Sequence, residues 1–403
     1  MAELSFCLVS TFYPPANFGG DGVHVQQLAR GLAQRGHRVR VVHNPEAYRM
    51  TGGPSYEPPA REAGIDVIAS SDGRASTTAT YMIGRPVARR RELERLVAGF
   101  DVVHFHNPSL LGGPGAFDIG TGLRLYTTHE HWLMCPTHVL YRYGREVCTK
   151  RTCVRCTLSY RRPPQLWRGT PLLARSVAHL DVLLCPSRFT AELHQREFPR
   201  ARVEVLPLPA AEPGLTTSTG EPARRERPYF LYAGRLETIK GVKELVDAFP
   251  SVRGADLLVV GSGTQDAMLR ARAATCAAIR FLGAVAHDEV ITLCRGATAV
   301  IVPSVGYETF GGAAVEAMSV GTPVVVRAIG PLPELIEDGG GVAFADDDEL
   351  VATLQSFVDD PEAARRLGAQ ARVAAARFSA DLFFDRYFAI IDELRASGGK
   401  SNR

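Results

Sequence analysis

The sequence predicts an α/β fold of two Rossmann-like domains, each a parallel sheet covered by helices, facing each other across a cleft. Three observations carry that expectation. The chain has 403 residues, too many for one hydrophobic core. Its short apolar runs are near-continuous rather than alternating, the pattern of strands buried on both faces. Those runs are separated by amphipathic helical segments, the order of successive βαβ units.

In the first domain, LSFCLVS (4–10) reads as the opening strand and TFYPPANFGGDG (11–22) as the loop after it. The segment 23–37 then places Val25, Leu28, Ala29 and Leu32 on one helical face, with Gln26, Gln27, Arg30 and Gln34 opposite. Gly36 stands where a helix C-cap glycine belongs. VRVVH (39–43), IDVIAS (65–70), DVVHFH (101–106), LRLYTTH (123–129), DVLLCPS (181–187) and VEVLP (203–207) continue the strand series. The stretch 207–228 is rich in Pro, Ser, Thr and charge, and has no periodicity, so it reads as a linker.

A second series follows: YFLYAGR (229–235), ADLLVVG (255–261), AIRFLGAV (278–285), TAVIVP (298–303) and TPVVV (322–326). The expected divisions are a first domain over 1–208 with an insertion at 131–168, a linker over 209–227, and a second domain over 228–378. A final helix over 379–397 has Leu382, Phe383, Tyr387, Ile390, Ile391 and Leu394 at helical spacing, and is expected to pack back on the first domain.

Composition excludes several classes. Lys+Arg 46 against Asp+Glu 43 is too even for a nucleic-acid binder recognised by charge. Glu3 precedes the first apolar run and Pro14-Pro15 follows it, unlike a signal peptide, and no run reaches the ~18 apolar residues of a membrane helix. A cytoplasmic protein is expected. The basic segments ARRRELERL and YRRPPQLWRG, the second carrying Trp167, allow at most a peripheral contact with the inner face of a membrane. Solvated faces are the plainer reading of both.

The most informative stretch is VPSVGYETFGGAAVEAMSVGTPVVV (302–326). A strand ends, a glycine-bearing loop follows, and a helix begins near Gly311. Free amides at that helix start, around Phe310, Gly311 and Gly312, make an anion site. Glu308 precedes the helix and Glu316 lies within it, a pair suited to sugar hydroxyls on either side of a diphosphate; a solvated helix with an N-terminal acid is the plainer reading. Arg235 and Lys240 follow the second domain's first strand. Two cations beside a phosphate site would neutralise a leaving diphosphate without a metal. Gly261 and Gly263 form another strand-to-glycine turn, weak alone. A Walker P-loop is absent, as is GxGxxG after the first strand of either domain, which disfavours kinases, ATPases and NAD-dependent dehydrogenases.

GRLETIKGVKELVDAF, LLVVGSGT, IRFLGAV and the Glu-x7-Glu block YETFGGAAVEAMSVGTPVV together resemble the family-4 glycosyltransferases of GT-B fold. YPPANFGGDGVHVQQLARGLAQRGHRVRVV, DVVHFHNP and YTTHEHW are similar to that family's first half, so the likeness runs over about residues 4–380. The resemblance implies a retaining, metal-independent transfer from a nucleoside diphosphate sugar, a UDP-sugar first, to an acceptor hydroxyl, with no cofactor needed for catalysis. It implies that Arg235 and Lys240 grip the diphosphate and that Glu308 meets the sugar, helped by the amides of Phe310, Gly311 and Gly312. It also implies that Glu316 holds the ribose, that Gly20 admits the phosphates closely, and that His129 faces the reaction centre. Gly261, Gly263 and Val285 join the donor-binding set on the same ground. Gly312 with two alanines replaces the bulky aliphatic usual after Phe-Gly, which leaves donor identity open. A sugar-nucleotide 2-epimerase of the same fold and a non-catalytic nucleotide-sugar binding protein are the alternatives. The acceptor, glycosidic, small-molecule or lipid-linked, is not written in motifs. His104 and His106 read as packing or acceptor-side residues.

Cys135, Cys148, Cys153 and Cys156 form a C-x12-C-x4-C-x2-C cluster, which predicts a structural zinc site with His131 and His138 as substitute ligands. Buried free thiols and a reversible disulfide are the alternatives. The run Asp346–Asp348 reads as helix-start acids that complement the dipole rather than as a metal motif.

Overall fold

The computed structural model describes residues 3–54, 62, 64–71, 73–210 and 227–398. Nearly all of the expected linker 209–227 lies outside the described residues. The chain divides into two compact units: Val139–Arg151 with Pro207–Phe384 form the second, and the other described residues form the first. The expected insertion 131–168 is therefore split, its middle grouping with the second unit.

The strands, in chain order, are β1 (Ser5–Ser10), β2 (Arg38–His43), β3 (Ile65–Ala69), β4 (Val102–Asn107), β5 (Leu123–Thr127), β6 (Tyr141–Arg142), β7 (Glu146–Val147), β8 (Val182–Cys185) and β9 (Val203–Val205). They continue with β10 (Tyr229–Ala233), β11 (Asp256–Val260), β12 (Ile279–Gly283), β13 (Ala299–Val302), β14 (Val324–Arg327) and β15 (Gly341–Phe344). The first unit holds a seven-stranded sheet of order β3-β2-β1-β4-β5-β8-β9, and the second a six-stranded sheet of order β12-β11-β10-β13-β14-β15. Every pairing in both sheets is parallel, with Phe6 beside Val39 and Val102 in the first and Phe230 beside Leu257 and Ala299 in the second. β6 and β7 form a separate antiparallel hairpin.

Central strands that read as unbroken apolar runs are unbroken because both faces are covered: β1, β4, β5, β8 and β11 are buried at every position. The helix Gly20–Gln34 buries Val25, Leu28 and Leu32, and Gly36 ends it with φ +82°. Residues of the final helix Ala380–Ala396 from Asp385 onward belong to the first unit, where Phe388 packs on Phe6 and His37. Asp346 caps the helix Asp347–Asp359, its Oδ1 accepting from the Glu349 amide at 2.9 Å.

In both sheets the order in which strands are added reverses at the third strand, between β1 and β4 in one and between β10 and β13 in the other, while all strands stay parallel. The loops leaving the two strands there turn to opposite faces and open a crevice at the strands' carboxyl ends. Each unit has one such place: Arg235, Lys240 and Glu308 follow β10 and β13 in the second unit, and Gly20 and His106 lie after β1 and on β4 in the first.

Candidate active site at the two switch points

In the second unit the crevice is built by the loops after β10, β11 and β13. Gly241 lies just past the short helical turn Thr238–Lys240, with φ +68°, and a Cβ there would stand 1.9 Å from the Pro303 carbonyl oxygen. Only glycine allows the β10 and β13 loops to meet this closely. The Val305 amide then donates to Ile239 O at 2.9 Å, which fixes one loop on the other. Gly261 has φ +132°, and a Cβ on it would stand 1.9 Å from Gly234 O. Its amide donates to Gly283 O at 2.8 Å, and Gly234 N donates to Val260 O at 3.0 Å. A Cβ on Gly263 would likewise meet Leu236 O at 2.4 Å. The glycines expected to admit a phosphate are thus needed first for close approach between neighbouring loops. Val285 packs, partly buried, against the sheet's core.

These loops bring Lys240 and Glu308 together. Lys240 Nζ donates to both carboxylate oxygens of Glu308, at 2.7 and 2.9 Å, and Ser304 Oγ donates to Oε1 at 2.6 Å. Burial alone would push the Glu308 carboxyl up; the charge and hydrogen bonds of Lys240, the Ser304 hydroxyl and the Arg235 charge together hold it below its ordinary value. Arg235 is exposed, and its carbonyl is tethered by Tyr232 Oη at 2.7 Å. The helix Gly312–Ser319 starts beyond Gly311, whose φ is +110°, and no side chain caps its first amides. Phe310 is buried and packs edge-on against Phe378, which anchors the helix start. Glu316, one turn into the helix, has its carboxyl pushed up by burial, with His287 opposing that shift. Ser304, and Glu237, which accepts from Thr264 N and Oγ1 at 3.2 and 2.6 Å, were not singled out from the sequence. Both sit within a few residues of Glu308 or Lys240, the only signal that marked them.

The first unit's crevice is lined by imidazoles instead. His24 comes from the helix after β1, His106 from β4, and His129 from just beyond β5. His106 Nδ1 lies 2.9 Å from His129 Nε2, and the His24 ring is centred 5.1 Å from that of His129. Burial lowers His129 to about 3 and His24 and His106 well below the usual imidazole range, so all three are neutral. His104 packs against His106 with ring centroids 4.0 Å apart and planes tilted by 36°. Its two nitrogens meet Tyr387 Oη at 2.9 Å and Thr127 Oγ1 at 2.8 Å. His104 thus couples the final helix to the cluster. Asp21 Oδ2 accepts from Asn107 Nδ2 at 3.3 Å, and burial raises the Asp21 carboxyl.

Gly20 opens the helix Gly20–Gln34, and a Cβ there would meet nothing within 4 Å. Close packing falls on Gly22, whose Cβ would stand 2.4 Å from Asn17 Oδ1. Neither His24 nor His106 was joined to His129 in the sequence reading. The available signal was topological: β4 and β5 are neighbours, and the first helix returns to the same sheet end.

The cysteine reading requires correction. Among the described residues, the one group of three or more histidines, cysteines and acids whose ligand atoms converge is His24, His106 and His129; the four cysteines do not make one. Cys135 Sγ lies 3.2 Å from Thr137 Oγ1, and Cys156 is buried on the helix Cys153–Ser159. Cys148 belongs to the other unit's hairpin segment. The proposed substitute His138 pairs with Glu130 Oε2 at 2.6 Å. Close cysteine spacing along a chain fixes ligand geometry only when the fold turns the sulfurs toward one point, and among the described residues the four do not converge. Trp167 is likewise no membrane contact: it is buried against Trp132, and its Nε1 donates to Tyr81 O at 3.0 Å. No helix among the described residues is long and apolar enough to cross a membrane.

Comparison with known proteins gives the chain's family and fold. The family described as Glycosyl transferases group 1 matches residues 217–374, and Glycosyltransferase Family 4 matches residues 18–210. The glycogen synthase of Mycobacterium tuberculosis (strain ATCC 25618 / H37Rv) is 30% identical over 93% of this chain and 90% of its own length. The MMP alpha-(1->4)-mannosyltransferase of Mycolicibacterium hassiacum is 29% identical over 88% of this chain and 89% of its own. Among solved structures, sucrose-phosphate synthase from Thermosynechococcus elongatus superposes with a TM-score of 0.71 at 19% identity, covering 98% of this chain and 100% of that one. Anabaena HepE in complex with UDP and glucose does so with a TM-score of 0.66 at 17% identity, covering 97% and 100%. Those likenesses establish the GT-B fold, and the sequence matches establish the family: the chain belongs to the family-4, group 1 glycosyltransferases.

Proposed function

We propose that this glycosyltransferase moves a hexosyl group from a nucleoside diphosphate sugar, a UDP-sugar first, to an acceptor hydroxyl with retained anomeric configuration and without a metal. The observation that carries the reading is the Lys240–Glu308 pair at the β10/β13 switch point, bracketed by Arg235 and by the uncapped helix start at Gly311. An ammonium has three donors. Two are held by Glu308, and the third remains for a phosphate oxygen. As the bond between the anomeric carbon and the diphosphate breaks, its electron pair stays on the diphosphate, the acceptor oxygen bonds to the anomeric carbon, and the acceptor's hydroxyl proton passes to the departing phosphate oxygen. Arg235, Lys240 and the amides of Gly311 and Gly312 would then balance the added charge. A Glu308 carboxylate kept ionised by these neighbours accepts hydrogen bonds from sugar hydroxyls, and Glu316 is assigned to the ribose.

The printed names of the relatives, a glycogen synthase and a mannosyltransferase, favour hexosyl transfer, and the HepE complex with UDP and glucose favours a uridine donor. In the first unit, neutral His129 is assigned to the reaction centre, where a neutral imidazole donates or accepts one hydrogen bond without adding charge. Acceptors of carbohydrate, small-molecule or lipid-linked type fit the reading equally. It also fits a cytoplasmic setting, at most peripheral to the inner face of the membrane.

A panel of nucleoside diphosphate sugars incubated with simple glycoside acceptors in EDTA tests the proposal. The expected result is release of nucleoside diphosphate from one donor class and, by proton NMR, a product with the donor's anomeric configuration. An inverted product, or 2-epimerised sugar without acceptor, would overturn it.

A further inference from the structure

The histidine cluster offers more than the proposed transfer uses. We propose that His24, His106 and His129 form a three-imidazole site for a borderline divalent ion of the Zn²⁺ class, and that occupancy withdraws His129 from the substrate. One ligand atom from each residue lies within 4.8 Å of the other two. Three imidazoles on one tetrahedral zinc, each bound at about 2.0–2.1 Å, hold their nitrogens roughly 3.3 Å apart. The His106 Nδ1 to His129 Nε2 separation of 2.9 Å is already close to that value. The ring centroids stand 5.1, 5.2 and 6.0 Å apart; His106 and His129 are stacked, and His24 is tilted by 58° and 54° against them.

Two of the three ligands sit on regular elements. One ligand sits on a helix, one in the central strand β4 and one directly after β5, and His24 and His106 are 4% and 0% exposed. Sites on such elements keep their geometry better than sites on loops. His106 Nε2 is buried without a hydrogen-bond partner among the described residues. That nitrogen can take the proton displaced when Nδ1 becomes a ligand, so binding needs no net proton release. His129 is only half-buried, which leaves the fourth position to water or to a substrate atom. Among the described residues no carboxylate joins the group, and imidazole nitrogens alone favour zinc, copper or nickel over magnesium or calcium.

Metal binding does not depend on the proposed function; the loss of His129 to substrate does. Tag-free chain is stripped with EDTA, dialysed against Zn²⁺ and analysed by elemental mass spectrometry. The expected result is one zinc per chain, with affinity at least tenfold weaker in both His24→Ala and His106→Ala and unchanged in Cys153→Ser/Cys156→Ser. Cobalt replacement in the wild type provides a readout that needs no variant to fold: intense visible bands of a tetrahedral nitrogen site, with no thiolate charge-transfer band near the ultraviolet. Weak octahedral bands, a thiolate band, or zinc lost with the cysteines would overturn the site. Where donor turnover is measurable, it should fall with the same midpoint as zinc binding and recover in EDTA. Full turnover at full occupancy would contradict the second half of the proposal while leaving the donor assignment intact.

Discussion

The two units solve one topological problem with opposite electrostatics. Each is a parallel sheet whose strand order reverses at its third strand, and each gathers its polar residues at the carboxyl ends of the two strands flanking that reversal. The second unit fills the crevice with formal charge: Lys240 on Glu308, Arg235 near them, and an uncapped helix start. The first fills it with imidazoles that burial keeps neutral. A shared topology therefore fixes where a site sits and leaves its chemistry to a few strand-end residues. The charged crevice suits a diphosphate, and the neutral one suits sugar hydroxyls.

The largest expected effect lies on the charged side. Glu308→Gln keeps the shape and removes the charge, so kcat should fall roughly ten- to a thousandfold, while nucleoside diphosphate affinity changes little. Steady-state kinetics and calorimetry separate the two quantities, and wild-type turnover would remove Glu308 from the mechanism.

Arg235→Ala and Lys240→Ala should each weaken diphosphate binding by about 1.5–3 kcal/mol. The structure divides them on stability. Arg235 is exposed, so its loss should leave the melting temperature unmoved. Lys240 is the partner of a Glu308 side chain only 18% exposed, and removing it strands that carboxylate at a cost of about 1–3 kcal/mol. Equal melting temperatures for the two variants would contradict this division. The sequence suggested two equivalent cations, because it could not show which of them was already paired.

That difference marks how much was legible. All seven strands of the first sheet and five of the six in the second were readable from near-continuous apolar runs, β15 being missed. Lys240, Glu308 and Gly311 were readable because they lie in the loops and helix start that follow β10 and β13. His24 was not, because the helix reading of 23–37 recorded only its apolar face, and its partners on β4 and β5 lie far off in sequence. The cysteine cluster misled for the converse reason: close spacing along the chain did not bring the sulfurs together, and the hairpin carrying Cys148 groups with the other unit.

Glycines sharpen the comparison further. Gly241→Ala would place a Cβ 1.9 Å from Pro303 O at φ +68°, whereas Gly20→Ala meets nothing within 4 Å. Chemical denaturation should show a loss of about 2 kcal/mol or more for the first and less than about 0.5 kcal/mol for the second. A large loss at Gly20 would contradict the open space described there.

Acid should act first on the imidazole-bearing unit. Away from the crevice, burial lowers His43 and His194 to about 4 from an ordinary 6.5. Between those values the unfolded chain binds the extra proton, so stability is full above pH 6.5 and falls as pH drops toward 4. Each histidine contributes on the order of 1 kcal/mol per pH unit across that window. Glu308, held below its ordinary value, keeps its ion pair through the same range. Hydrogen exchange at pH 7 and pH 5 should therefore show the first unit loosening before the second, and the reverse order would contradict the contrast.

The central claim, that the charged crevice of the second unit grips a diphosphate without metal, is tested most directly by calorimetric titration of UDP in EDTA. Wild-type protein and the Arg235→Ala/Lys240→Ala double variant are compared. The account expects one UDP per wild-type chain in EDTA, with affinity reduced at least a hundredfold in a double variant that still unfolds cooperatively. Binding that appears only with added Mg²⁺ or Mn²⁺, or that survives unchanged in the double variant, would contradict it.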